Sequence, residues 1–294
     1  MSLMDARSPD YVEGLSAIAE CFDHILLDQW GVLHDGRRIY PGVRDALAGL
    51  RRAGKRILVL SNSGKRAAEN AERLAALGLP RNAFDFLVTS GEATWRALQH
   101  GDGAPFGRLG RRCLLITRGG DRSVVEGIDL DLVERSRDAD FILLAGFDDG
   151  FADPVVWAPI LEEALSHGLP MICANPDLTM ITPAGLAPAP GRMARDYAEK
   201  GGEVVHVGKP YAPIYGACLE LLGNPDPARV LAVGDSLDHD ILGGRRMGMP
   251  TALVIAGVHA PAFAAAASPT EKVRVAEALA GESQPDWVIP SLAW

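Results

Sequence analysis

The sequence predicts an α/β fold, a doubly wound parallel sheet, and three observations carry that expectation. Short apolar runs recur along the chain, each ending in a small polar or charged residue. Between them lie stretches with apolar residues at helical spacing, closed by glycine or proline. Strand, helix, strand, helix, strand in that order is the grammar of a parallel sheet with helices packed on both faces. At 294 residues the chain has room for two domains, or for one large domain with an insertion.

Taken in order, residues 1–20 give weak signals, and a helix is expected around residues 11–21. Residues 24–27 form the first strand, an apolar run broken by Asp28 and the turn at Gly31, although so short a run also fits a piece of helix. Pro41 suits a helix first turn, and Val43, Leu47 and Leu50 follow at i, i+4 and i+7 until Gly54 stops the helix. Residues 56–60 are the second strand, running into Ser61-Asn62-Ser63-Gly64, and a helix over 66–77 is closed by Gly78-Leu79-Pro80. Residues 84–88 are a third strand, ending at Thr89-Ser90-Gly91.

The middle repeats the pattern more loosely, with strands over Arg112–Ile116, 141–145 and 171–174, a helix over Pro154–Ser166, and loops at Gly119-Gly120 and 188–191. These are enough for a small layer of their own. Residues 204–207 form a strand ending at Gly208-Lys209-Pro210, and Ile214, Cys218, Leu221 and Leu222 share a helix face. Residues 230–233 lead into Gly234-Asp235, 251–255 form the next strand, and 286–289 are expected to close the sheet.

Composition narrows the partners. The formal net charge of −9 argues against nucleic acid or an anionic membrane, and the arginine pairs are scattered among acids as solvated faces rather than clustered into a footprint. Cys21, Cys113, Cys173 and Cys218 lie far apart with neither metal-ligand nor redox spacing. Buried thiols in a reducing compartment are the plain reading. The first residues lack the charged-then-apolar build of a signal peptide, no apolar run reaches membrane-spanning length, and a cytoplasmic protein is expected.

Four strand ends hold Asp28, Ser61, Lys209 and Asp235. In one parallel sheet all carboxyl ends share an edge, so these four can converge although the chain separates them. Two carboxylates can hold Mg²⁺, a hard cation that takes oxygen ligands. A carboxylate can also attack phosphorus, dividing one difficult displacement into two. Ser61 and the backbone N–H groups of Asn62 and Ser63, near a helix start, can hold phosphoryl oxygens, and Lys209 supplies positive charge. Taken singly, Asp28 can be a turn former and Ser61 a helix cap. Asp235-Ser236-Leu237-Asp238-His239-Asp240 is harder to explain away, because three carboxylates in six residues need a cation or many donors.

On these residues the chain resembles a haloacid dehalogenase (HAD) superfamily hydrolase, in the subclass with a type 2 cap inserted between the second and third motifs (subclass IIA). That subclass includes pyridoxal phosphate, nucleotide and sugar-phosphate phosphatases. Asp28-Gln29-Trp30-Gly31-Val32 resembles the first motif, Leu58-Val59-Leu60-Ser61-Asn62-Ser63 the second, Val207-Gly208-Lys209-Pro210 the third, and Val233 through Ile241 the fourth. Thr89 through Thr94 and Ala174-Asn175-Pro176-Asp177 resemble subclass signatures.

The resemblance implies a Rossmann-like core over 1–92 and 203–294 with an inserted α/β cap over 93–202. It implies Mg²⁺ held by Asp28, the Trp30 carbonyl, Asp235 and Asp240, a nucleophile in Asp28, and phosphoryl binding by Ser61 and Lys209. The substrate is then a small phosphorylated metabolite, and two copies can pair through the cap. Asn175, Asp177 and the 188–192 loop are candidates to face the substrate, with local turn hydrogen bonds as the alternative duty.

One position departs from the family. Its second aspartate, the general acid–base, is Trp30 here, and an indole N–H does not ionise in the useful range. His34 and Asp35 are the candidates to replace it at the leaving group. General acid–base help is worth about 10²–10⁴ in rate, so its loss predicts a slow phosphatase, or alternatively a phosphate-ester binding or sensing protein. A receiver-like signalling domain also pairs a phosphorylatable aspartate with Ser/Thr and Lys, but receivers are far shorter than this chain.

Overall fold

Strands of a parallel sheet are covered on both faces, so they read as unbroken apolar runs instead of alternating ones. The computed structural model describes residues 8–101, 106–182 and 185–294. Its strands in chain order are β1 (Asp10–Tyr11), β2 (His24–Asp28), β3 (Arg56–Ser61), β4 (Phe86–Thr89) and β5 (Arg112–Ile116). There follow β6 (Asp131–Val133), β7 (Phe141–Leu144), β8 (Met171–Cys173), β9 (Thr179–Thr182) and β10 (Gly185–Pro188). The last are β11 (Val204–His206), β12 (Val230–Gly234), β13 (Thr251–Val254) and β14 (Trp287–Ile289).

Two compact units result. The first takes the chain up to Ser61 with Ala71–Val88 and Tyr215–Trp294, and the second takes Asn62–Asn70 and Thr89–Ile214. The first unit is built on a seven-stranded sheet in the order β1-β14-β13-β12-β2-β3-β4. From β1 across to β3 every pairing is parallel. Ile25, Leu26 and Leu27 of β2, Ile57 through Leu60 of β3 and Val230 through Val233 of β12 are all buried. The helix Val43–Arg52 lays Val43, Ala46, Leu47 and Leu50 into this core. Its N-cap is Gly42 in the left-handed region, so Pro41 stands just before the helix and not in its first turn.

The second unit has a five-stranded sheet, also wholly parallel, in the order β11-β8-β7-β5-β6, and a separate β9–β10 hairpin. Here Trp157 of the helix Pro154–Ser166 and Tyr197 of the helix Pro190–Glu199 are fully buried. The Tyr197 hydroxyl donates to the Leu169 carbonyl at 2.6 Å, so its burial leaves no polar group stranded.

The α/β class is as the sequence predicts, and several local expectations are corrected. Residues 11–21 are not one helix but the end of β1 and two single turns, Leu15–Ala17 and Ala19–Cys21, because the bend at Glu13-Gly14 and the non-helical Ile18 interrupt any longer run. The expected loop at 188–191 is the end of β10 and the start of a helix, with Pro190 in the first turn, where proline's missing N–H costs nothing. β14 does not close its sheet, since two-residue β1 lies outside it. The correction that matters most concerns Lys209. The strand before it, β11, pairs with β8 in the five-stranded sheet, not with the strands that carry Asp28, Ser61 and Asp235. Three apolar-rich residues specify a strand but not its neighbour. No helix among the described residues is long and apolar enough to cross a membrane.

Candidate active site

Within the first unit, β2 and β12 are adjacent and parallel, with Leu27 opposite Val233. Asp28 at the end of β2 and Asp235 just past β12 therefore emerge on the same edge. Asp240 joins them from a wide turn over Leu237–Ile241, in which the Ile241 N–H reaches back five residues to the Ser236 carbonyl at 3.1 Å. Such widened turns are frequent at functional sites. Asp28, Asp235 and Asp240 are all buried, and each offers a carboxylate oxygen within 4.8 Å of the others. At that spacing and an effective dielectric near 20, each pair of charges repels by roughly 3–4 kcal/mol.

The chain holds this arrangement by removing side chains around it. A Cβ at Gly31, where φ is +77°, would lie 1.9 Å from Asp235 Oδ2, and one at Gly257 would lie 2.0 Å from the same oxygen. A Cβ at Gly234 would meet the Asp240 side chain at 2.1 Å. The Val258 N–H donates to Asp235 Oδ2 at 2.6 Å and the Ser236 N–H to Asp240 Oδ2 at 3.1 Å, which orients both carboxylates. Three buried oxygen donors in a glycine-walled cradle fit a hard divalent cation, which cancels the repulsion that the fold otherwise has to bear.

Ser61 ends β3, one residue beyond the partner of Asp28 in the neighbouring strand, and is buried. The helix expected over 66–77 is Ala67–Ala76, and the N–H groups of Asn62 and Ser63 belong to the loop before it rather than to its terminus.

Trp30 is 43 % exposed. Its ring stands edge-on to the His34 imidazole at 5.2 Å, lies against Gly36 (a Cβ there would be 2.3 Å from Cη2), and has the Arg73 guanidinium 5.4 Å from its centroid. His34 is fully buried. Its Nδ1 accepts from the Gly36 N–H at 2.8 Å and its Nε2 faces the Gln29 side-chain amide at 3.1 Å. With Nδ1 accepting, the ring proton sits on Nε2, so the Gln29 amide is satisfied by turning its oxygen toward the ring. Burial, reinforced by Arg73, pulls the His34 pKa from 6.5 down to about 4, which keeps it neutral. Asp35 accepts from the N–H groups of Arg37 and Arg38, each at 2.9 Å, and these bonds hold its carboxyl below the usual range. Both residues proposed to stand in for the missing acid therefore brace the loop that follows Asp28. The Tyr40 phenol, pushed up by burial and by the charges of Asp35 and Asp235, keeps its proton.

Within the second unit, Asn62 is a buckle. Its Oδ1 accepts from the Lys209 N–H at 2.7 Å, and its Nδ2 donates to the Lys209 carbonyl at 3.2 Å and to Asp177 Oδ1 at 2.8 Å. Lys209 is buried, and Gly208 lets the chain pass where a Cβ would meet Ser90 and Pro176 at 2.5 Å. Asn175 Oδ1 accepts from the Asp177 N–H at 3.1 Å, so both members of that pair already have turn and bracing duties. Thr89 caps the helix Ser90–His100, accepting from the Glu92 N–H at 3.0 Å and donating to the Lys65 carbonyl at 2.6 Å. Glu92 in turn grips Arg66 at 2.6 Å. The Thr89–Thr94 signature thus fastens a helix start to the loop after Asn62. Nothing in the sequence pointed to the Gln29–His34 lock or to Gly257; the isolated glycine after β13 was the sole available signal.

Comparison with known proteins gives the same picture. Models of haloacid dehalogenase-like hydrolases match residues 25–131 and 108–248, and a HAD-hydrolase-like model matches 206–294. Chronophin of Rattus norvegicus is 32 % identical over 250 residues, covering 80 % of this chain and 76 % of that protein. This chain belongs to the haloacid dehalogenase-like hydrolases. It falls with the subclass IIA phosphatases of that family and is a hydrolytic enzyme by that membership. The D-glycerol 3-phosphate phosphatase of Mycobacterium tuberculosis is 30 % identical over 261 residues, covering 88 % of this chain and 70 % of that protein. A haloacid dehalogenase-like hydrolase from Brucella suis 1330 superposes with a TM-score of 0.79 at 28 % identity, covering 96 % of this chain and all of that one.

Proposed function

We propose that this chain is a Mg²⁺-dependent phosphohydrolase of a small phosphorylated metabolite, working through an aspartyl-phosphate on Asp28. The observation that carries the proposal is the meeting of three buried carboxylates, Asp28, Asp235 and Asp240, within 4.8 Å. A glycerol phosphate phosphatase among its relatives supports the substrate class. Asp28, Asp235, Asp240 and the Trp30 carbonyl would hold the ion, which when bound supplies positive charge against the phosphoryl group and the nucleophile. Asp28 attacks phosphorus, displacing the ester oxygen, and water then attacks the same phosphorus and restores the carboxylate. Ser61, with the loop N–H groups of Asn62 and Ser63, and Lys209 keep the phosphoryl-binding roles that the family resemblance gives them. With its thiols largely buried and unpaired as disulfides, the chain suits a reducing, cytoplasmic setting.

The test is hydrolysis of p-nitrophenyl phosphate with and without Mg²⁺, in the wild type and in Asp28→Asn. Activity that needs the ion and vanishes in the variant is the expected result. Equal rates in the two proteins would overturn the proposal.

Trp30 favours a second reading, a protein that binds phosphate esters without turning them over. Thermal stabilisation by phosphate esters, with no product after hours of incubation, selects that reading instead.

A further inference from the structure

None of Trp30, His34 and Asp35 in the loop after Asp28 is placed to give a proton, and that shapes which esters the site can cleave. Trp30 offers only an indole N–H. His34 is fully buried, with Nδ1 taken by the Gly36 N–H and Nε2 turned to Gln29. Asp35 is committed to the N–H groups of Arg37 and Arg38 and to the Arg38 guanidinium. What the loop offers instead is an aromatic surface. The Trp30 ring is pinned between His34, Gly36 and Arg73, yet 43 % of the residue remains exposed two positions beyond Asp28.

We propose that Trp30 makes this chain selective for aryl phosphates, whose planar leaving group is stable as an anion and stacks on the indole. The inference rests on Asp28 being the nucleophile. In the first step an Asp28 oxygen forms a bond to phosphorus, the bond from phosphorus to the aryl oxygen breaks, and its electron pair leaves with that oxygen as phenolate. Neither Trp30, His34 nor Asp35 delivers a proton. In the second step water bonds to phosphorus, the Asp28–phosphorus bond breaks, and both protons of the water depart on dihydrogen phosphate. The sum is aryl phosphate dianion plus water giving phenolate and dihydrogen phosphate. Alkyl esters fail in the first step, because an unprotonated alkoxide is a far poorer leaving group than a phenolate. A general acid normally erases much of that difference, and such acids are worth about 10²–10⁴ in rate.

The experiment measures kcat/KM, which reports the first step, for substituted phenyl phosphates of graded leaving-group acidity and for glycerol phosphate. Wild type and Trp30→Phe should fall steeply from the nitrophenyl to the alkyl end. Trp30→Asp should raise the alkyl end by about 10²–10⁴ and lower the nitrophenyl end, because the acid is gained and the stacking surface is lost. A shallow dependence in the wild type overturns the inference, as does a Trp30→Asp protein, folded by circular dichroism, whose rates rise equally for all esters or do not rise. A second measurement needs no turnover. p-Nitrophenyl phosphate should quench the indole fluorescence of Asp28→Asn, and glycerol phosphate should not. The quenching should disappear when Trp30→Phe is added, and its persistence overturns the stacking role. Failure of the underlying mechanism looks different, since Asp28→Asn would then cleave these esters as fast as the wild type whatever the slope.

Discussion

The two units are built alike and equipped differently. Each has a wholly or largely parallel sheet of apolar strands, the first in the order β1-β14-β13-β12-β2-β3-β4 and the second in the order β11-β8-β7-β5-β6. In the first, strand ends deliver Asp28 and Asp235 into a buried cluster with Asp240. In the second, β5 runs out into Thr117 and a pair of left-handed glycines, Gly119 and Gly120, and β8 runs out into the Asn175 turn. The same architecture thus serves as a charged site in one place and as hydrogen-bonded connections in the other. Chemistry resides in what is placed on a strand end, not in the sheet that presents it.

Four experiments press on that contrast. The largest effect is expected at the charged edge, where Asp28→Asn should lower kcat by on the order of 10⁴–10⁶, as loss of a nucleophile does elsewhere. A change below tenfold in a steady-state assay would place the reaction outside the first unit's edge.

Next comes pH. His34 is neutral in the fold with its pKa near 4, while the unfolded chain titrates near 6.5. Between those values the unfolded state binds the proton and the native state does not, so stability falls as pH drops from about 6.5 to 4 and the loss is complete below that. At 1.36 kcal/mol per pH unit the His34 contribution is about 3 kcal/mol. Urea denaturation at pH 7 and pH 4.5 should show that His34→Gln, which cannot titrate, loses less over this window than the wild type.

Glycines sharpen the comparison further. Gly257→Ala places a methyl 2.0 Å from Asp235 Oδ2 and should weaken Mg²⁺ binding about 10–100-fold by disturbing the ligand's orientation. Gly119→Ala in the second unit meets open space but keeps φ near +63°, so it should cost about 1–2 kcal/mol of stability and leave ion binding intact. Isothermal titration with Mg²⁺ and thermal melts of both variants separate the two outcomes.

The smallest effect concerns the thiols. Burial pushes Cys113 and Cys173 up to about 12, and Cys218 is buried as well, while Cys21 is exposed. A disulfide reagent should therefore modify one thiol rapidly in the native protein and the remaining three only after unfolding.

Much of this was legible in the amino-acid order. Apolar runs ending in Asp28, Ser61 and Asp235 gave the strands, since burial on both faces of a parallel sheet leaves little freedom in composition. The helix Pro154–Ser166 was expected with the bounds it has, and the structure adds its Asp153 cap and first-turn proline. Residues 11–21 misled because their apolar content suits either a helix or a series of turns, and packing, not propensity, chooses between them. Lys209 misled for a different reason. A three-residue strand carries no mark of the sheet it joins.

By itself the sequence determined which segments are strands, which residues end them, and that Trp30 stands where an acid was expected. The first two follow from local composition and spacing, and the third from the family resemblance. The tertiary structure alone decided that β11 lies beside β8, that Asn62 clasps Lys209 and Asp177, and that His34 is locked away from solvent by Gln29 and Gly36. Those outcomes depend on pairing between residues far apart in the chain, or on the exclusion of water from a turn, and neither quantity exists until the chain has packed.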